Sequence, residues 1–106
     1  MKLPLNHVAI LFLAASIVTP AFAQSSGADI YKAKCQMCHG ATGLGDNPVG
    51  KAMKAPSFKD PAVVKASDAD LIAAVTNGKG KMPANKGKLT DAQIKAAIAY
   101  IRTLQK

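Results

Sequence analysis

The chain has 106 residues, 49% of them hydrophobic, and its 14 lysines and arginines against 6 aspartates and glutamates give a formal net charge of +8. A chain of this length makes one domain, and a small one buries too little surface to be more than marginally stable on side chains alone. Its two cysteines, Cys35 and Cys38, would close only a very short loop, so a disulfide framework is excluded.

The first element reads as a leader. Met1-Lys2 supplies a positive start, Val8 to Val18 is an apolar run broken only by Ser16, and Ala21-Phe22-Ala23 places small residues where a signal peptidase reads them. Residues 1–23 are therefore expected to be a secretory signal peptide, cut before Gln24. An uncleaved anchor needs roughly 17–25 apolar residues, and Pro4, Asn6, His7 and Pro20 interrupt any such run. The expectation is export to a bacterial periplasm, no transmembrane anchor after cleavage, and a single domain over residues 24–106.

Removing the leader changes the arithmetic. It takes 16 hydrophobic residues with it, and the other 83 residues contain only 14 Val, Ile, Leu and Phe beside 13 basic and 6 acidic side chains. That composition lies where disorder is expected, unless something other than side chains fills the core. Ile30, Ala33 and Lys34 have helical spacing and predict a first helix running into Cys35. Gly40 to Pro56, punctuated by glycines and by Pro48, has no sustained periodicity and reads as an irregular loop of the functional kind. Ser67-Asp68-Ala69-Asp70 has capping-box spacing, opens Leu71 to Val75 and stops at Asn77-Gly78, a helix of two to three turns. Lys79 to Lys88 is a basic loop around Met82-Pro83. Thr90 to Gln93 is another capping box, opening a helix whose Ile94, Ala97, Ile98 and Ile101 share one face. Nothing reads as a strand, and there is no internal repeat.

Cys35-Gln36-Met37-Cys38-His39 is the motif by which c-type haem is attached. On one turn of helix, two thiols at this spacing reach two vinyl groups on adjacent edges of a porphyrin, and the next residue aims its imidazole at the iron. Cys35 and Cys38 then become thioethers and His39 the proximal ligand. A thioredoxin-type dithiol normally follows a strand, and none precedes Cys35. A tetrahedral zinc site needs four ligands, and Cys35, Cys38 and His39 are the only cysteines and histidine from Gln24 onward.

The iron's other axial position needs a donor. Met37 is too near His39 to cross to the other face, Met53 lies 14 residues on in the first loop, and Met82 lies 43 residues on, beyond a helix and stiffened by Pro83. Met82 is the expected ligand. Met/His iron has a raised reduction potential and no open axial site, which favours electron transfer over oxygen chemistry. The group also answers the composition: burying about 400 Å² of apolar porphyrin surface at ~25 cal/mol per Å² contributes roughly 10 kcal/mol, comparable with the net stability of a small domain.

With these residues the chain resembles the small bacterial class I cytochromes c over nearly all of residues 24–106. Gly27 and Tyr31 match that family's glycine and aromatic four residues apart, and Tyr100 its aromatic on the last helix, the three residues that form the crossing of the terminal helices. The resemblance implies an all-α cytochrome c fold, three to four short helices and long loops wrapped around one covalently attached haem c. It implies that Met82-Pro83-Ala84 is the methionine-ligand loop. It also implies that the Pro48 carbonyl accepts the His39 ring proton, a bond that sets tautomer and basicity. Many members hold a haem propionate with a tryptophan; this chain has none, leaving Ser57, Lys54 and Asn77 as candidates for that contact.

Lys79, Lys81, Lys86 and Lys88 surround Met82 with no acid among them, and Lys51 and Lys54 lie in the first loop. On the resemblance both loops approach the exposed haem edge, where a basic ring steers acidic redox partners; a plain solubility surface has the same composition. Nucleic acid is not expected, since one arginine and few aromatics offer little base readout. The expected protein is a monomeric one-electron carrier between respiratory or photosynthetic redox complexes that catalyses no bond-making reaction. Three competitors remain: an electron-transfer subunit of a periplasmic dehydrogenase, a haem ligand sensor or peroxidase with Met82 unbound, and a haem-free dithiol oxidoreductase.

Overall fold

Short polar side chains start every helix but one in the computed structural model, which describes Lys2, residues 13–16 and residues 26–106. The expected leader falls outside the described residues apart from those few positions. Ser26 Oγ accepts the Asp29 amide at 3.1 Å and opens α1 (Gly27–Lys34). After a kink at Cys35 comes the single turn α2 (Gln36–His39), the one helix without a side-chain cap, ended by Gly40 at φ +79°.

The stretch from Gly40 to Pro56 is not wholly irregular, contrary to expectation. Asn47 Oδ1 accepts the Gly50 amide at 3.1 Å and Pro48 takes the first helical position, giving α3 (Pro48–Met53). The same device recurs at Asp60-Pro61, where Asp60 Oδ1 accepts the Ala62 amide at 2.9 Å and opens α4 (Pro61–Lys65). In both, Asx supplies an acceptor and proline removes a donor that the first turn cannot use. These one-turn helices bury almost nothing, so no apolar periodicity announces them.

The two longer helices start where the sequence places them. Ser67 Oγ accepts the Asp70 amide and starts α5 (Asp68–Asn77), which stops at Gly78. Thr90 starts α6 (Asp91–Leu104) with a reciprocal box: Thr90 Oγ1 accepts the Gln93 amide at 3.1 Å and Gln93 Oε1 accepts the Thr90 amide at 2.8 Å. Asp70 at the equivalent place in α5 is one methylene shorter than Glu, and only the forward bond forms there. The described residues thus hold six helical segments rather than three or four, with no strand and only isolated bridges at Lys79–Met82 and Lys86–Leu89. The all-α class stands. None of these helices is long and apolar enough to cross a membrane.

α1 crosses α6 closely at Gly27, where a Cβ would lie 2.1 Å from the Ala96 carbonyl oxygen. One turn on, the buried Tyr31 ring packs 5.2 Å from Tyr100. Gly27, Tyr31 and Tyr100 therefore form the crossing that the family resemblance implied. Ile94, Ala97, Ile98 and Ile101 are all buried along one face of α6, the stripe its 3.6-residue period calls for.

Candidate functional site

The Cys35–His39 turn is held by bonds from outside itself. The Cys35 amide donates to Tyr31 O at 2.8 Å, ending α1, and the His39 amide donates back to Cys35 O at 3.0 Å, closing the next turn. A single turn leaves its carbonyls without helical partners, and here distant donors take them. Asn47 Nδ2 donates to Met37 O at 2.7 Å, the Gly45 amide to His39 O at 2.9 Å, and the Tyr31 hydroxyl to Gly40 O at 2.6 Å. Cys35 is buried, Cys38 half-buried, and neither is in a disulfide.

Burial pushes the Cys35 thiol up to about 11, with nearby Cys38 adding to the shift. A dithiol oxidoreductase needs the reverse, a thiol held below its ordinary value so that it attacks as thiolate. His39 is 8% exposed, and burial lowers its pKa, partly opposed by the Pro56 backbone. Its imidazole is therefore neutral at pH 7, the form that binds metal.

The bond expected at Pro48 is not formed. His39 Nδ1 is buried without a hydrogen-bond partner among the described residues, and Pro48 stands exposed at the first position of α3.

Cys35, Cys38 and His39 share a cavity of about 500 Å³ with Met82 and with the apolar side chains of Val63, Leu71, Val75, Ile98 and Ile101. That volume lies inside the roughly 300–1,000 Å³ of small-molecule and cofactor sites. Met53 also lines it, so the cavity holds both of the loop methionines. Met82 also packs against the buried core. Its amide donates to Lys79 O at 2.9 Å and its carbonyl accepts the Lys79 amide at 3.1 Å, while the Asn85 side chain and amide both reach Val75 O. Gly78, at φ +79°, lets this turn fold back; a Cβ there would sit 2.7 Å from Met82 O.

The lysines divide. Lys54, Lys79 and Lys81 line the cavity, as does Lys34, which the sequence did not single out. Lys81 Nζ donates to Ala52 O at 3.3 Å, joining the Met82 loop to α3. Lys51, Lys86 and Lys88 are exposed away from the lining. Of the candidate propionate contacts, Lys54 is on the lining, whereas Ser57 and Asn77 are not.

Phe58 was not anticipated. It is buried, lines the cavity and stacks on the His39 ring. A lone phenylalanine in a segment poor in large aliphatics was the available signal. These residues fit a flat apolar group fixed by two sulfur bonds and a neutral imidazole, since unpaired thiols and an unpartnered ring sit at the wall of an apolar cavity.

Comparison with known proteins points the same way. The family model described as cytochrome c oxidase, cbb3-type, subunit III matches residues 22–101. Cytochrome c6 of Leptolyngbya boryana is 37% identical over 79 residues, 73% of this chain and 87% of that protein. The cbb3-type cytochrome c oxidase subunit FixP of Bradyrhizobium sp. (strain ORS 278) is 39% identical over 82 residues, 76% of this chain but only 27% of that longer protein. Among solved structures, the KustC0563 c-type cytochrome superposes with a TM-score of 0.70 at 30% identity, covering 77% of this chain and all of that one.

Proposed function

We propose a role on the premise that this chain belongs to the cytochrome c family, as a small mono-haem c-type cytochrome. Its cofactor is covalently attached haem c, and its chemistry is electron transfer. Cys35 and Cys38 would hold the haem through thioether bonds, and His39 and Met82 would ligate its iron. The observation that carries this reading is the meeting of all four side chains on one apolar cavity, although Met82 is 43 residues from His39 in the chain.

When bound, the haem supplies an iron that changes by one electron without a bond being made or broken. The chain's own residues do the rest. The neutral His39 offers a ring nitrogen without first losing a proton. Val63, Leu71, Val75, Ile98 and Ile101 exclude water from the site, which raises the reduction potential by disfavouring the more charged ferric state. The turn at Lys79–Met82 and the Asn85 anchor fix the methionine loop, so little reorganises between oxidation states. With both iron positions taken by His39 and Met82, the site would offer no open position for oxygen or peroxide chemistry, and we read the protein as a carrier.

Lys34, Lys54, Lys79 and Lys81 make the cavity mouth basic and steer acidic redox partners, with an association rate that falls as salt rises. Residues 1–23 are a leader removed on export to the periplasm; a mature chain beginning at Gln24 by mass spectrometry tests this. The carrier works between respiratory or photosynthetic complexes. The likeness to FixP favours a second reading, an electron-donating partner of a terminal oxidase; co-purification with an oxidase at moderate salt separates the two.

The axial assignment is tested by the ferric spectrum of the haem-loaded protein. Met82→Ala is expected to lose the charge-transfer band that marks methionine ligation, and Met53→Ala to keep it. An unchanged Met82→Ala spectrum would overturn the assignment.

A further inference from the structure

Arg102 is the one arginine in the chain beyond residue 24, and its guanidinium is spent on backbone. From α6, Nη1 donates to Val63 O at 3.3 Å and to Val64 O at 3.4 Å, and Nη2 donates to Ala66 O at 2.5 Å. These are carbonyls at the C-terminal end of α4, where a helix runs short of its own donors: the Ala66 amide reaches Val63 O at 3.3 Å, and Arg102 serves all three. Nε reaches Asp68 Oδ1 at 3.0 Å, at the start of α5.

α4 has little else to hold it. None of its residues is buried; only Val63 is half-buried, and Val63 lines the cavity. Arg102 also continues the network the other way. Nη1 donates to Gln105 Oε1 at 3.1 Å, and Gln105 Nε2 donates to Phe58 O at 2.9 Å. Phe58 in turn stacks on His39. One planar fork on α6 thus fixes both the Val63 wall of the cavity and the residue packed on the imidazole.

We propose that Arg102 and Gln105 are positioning residues for the redox site: they clamp α4 and Phe58 around it, and so set its water access and reduction potential. This rests on the electron-carrier reading above. Lysine cannot replace arginine here, because a single ammonium does not span acceptors on five residues as a planar fork does. The Asp68 pair is a different matter. Asp68 is 68% exposed, and an ion pair in that setting contributes little.

The test uses the haem-loaded protein, with potentiometric titration and hydrogen exchange of the α4 amides as separate readouts. Arg102→Lys keeps the charge and loses the fork; it is expected to lower the potential and to lose at least about tenfold of the protection at residues 63–66, with α6 amides still protected. Gln105→Ala, also without change of charge, is expected to lower the potential by a smaller step. Asp68→Ala is expected to match the wild type. An Arg102→Lys protein with wild-type potential overturns the proposal, whether or not α4 has loosened, and an Asp68→Ala shift as large as that of Arg102→Lys overturns it in favour of a simple charge effect. If Arg102→Lys does not fold, Gln105→Ala decides. Failure of the axial reading is seen separately, as a wild-type spectrum without the methionine band, and leaves the exchange result standing.

Discussion

The ring of Phe58 lies 4.6 Å from the imidazole of His39, centroid to centroid, and only 23° from parallel. The pair joins a residue of the attachment turn to one 19 positions later, beyond the Gly40–Gly45 stretch and α3. Gly43, at φ +78°, makes room for it, since a Cβ there would come 2.4 Å from Phe58 Cδ2. The same ring meets Tyr31 edge-on at 6.1 Å. Phe58→Ala should cost about 3–5 kcal/mol, as expected for truncation of a buried aromatic, and Phe58→Leu clearly less. Guanidinium unfolding of the haem-loaded variants measures both, and equal costs would show that the volume leucine retains contributes nothing and that the whole effect rests on the aromatic ring.

Gly27→Ala tests the crossing of the terminal helices. With Ala96 O only 2.1 Å from the added methyl position, α1 and α6 must separate, at an expected cost of about 3 kcal/mol. In a domain of this size that lowers the thermal midpoint by about 12–24 °C. Ala28→Gly, at an exposed position next to it, should cost no more than about 1 kcal/mol.

Tyr31 gives the protein a pH dependence at the alkaline end. Burial holds its phenol well above the ordinary value of 10.0, so the folded chain keeps a proton that the unfolded chain releases. Stability from this group is complete below pH 10 and is lost as pH rises above it. Tyr31→Phe removes the bond to Gly40 O, costing about 1 kcal/mol at pH 7, but flattens the fall above pH 10. Denaturant midpoints from pH 7 to 11 should therefore converge; parallel curves would rule the assignment out.

The chain without haem should not hold this fold. Without the group, Val63, Leu71, Val75, Ile98 and Ile101 are left lining an unfilled site of about 500 Å³, and a domain this small is only marginally stable on side chains alone. Cys35→Ala with Cys38→Ala is expected to be largely unfolded by circular dichroism. A compact, cooperatively melting variant would contradict this.

The sequence by itself determined whatever depends on neighbours along the chain. The Cys35–His39 spacing, the caps at Ser67 and Thr90, the buried stripe of α6 and the shortage of aliphatics that implies a cofactor are all local or compositional, and all could be read without coordinates. The tertiary structure decided the rest. Asn47-Pro48 and Asp60-Pro61 resemble turn signals until a helix is seen to follow, because a one-turn helix has no apolar face to reveal it. Phe58 on His39, Lys34 at the cavity mouth and Arg102 on the α4 carbonyls join residues 19 or more positions apart, or elements whose relative placement no periodicity encodes. Such approaches are set by how close two backbones come, as at Gly27 and Ala96, and by which unpaired carbonyls lie within reach of one long side chain.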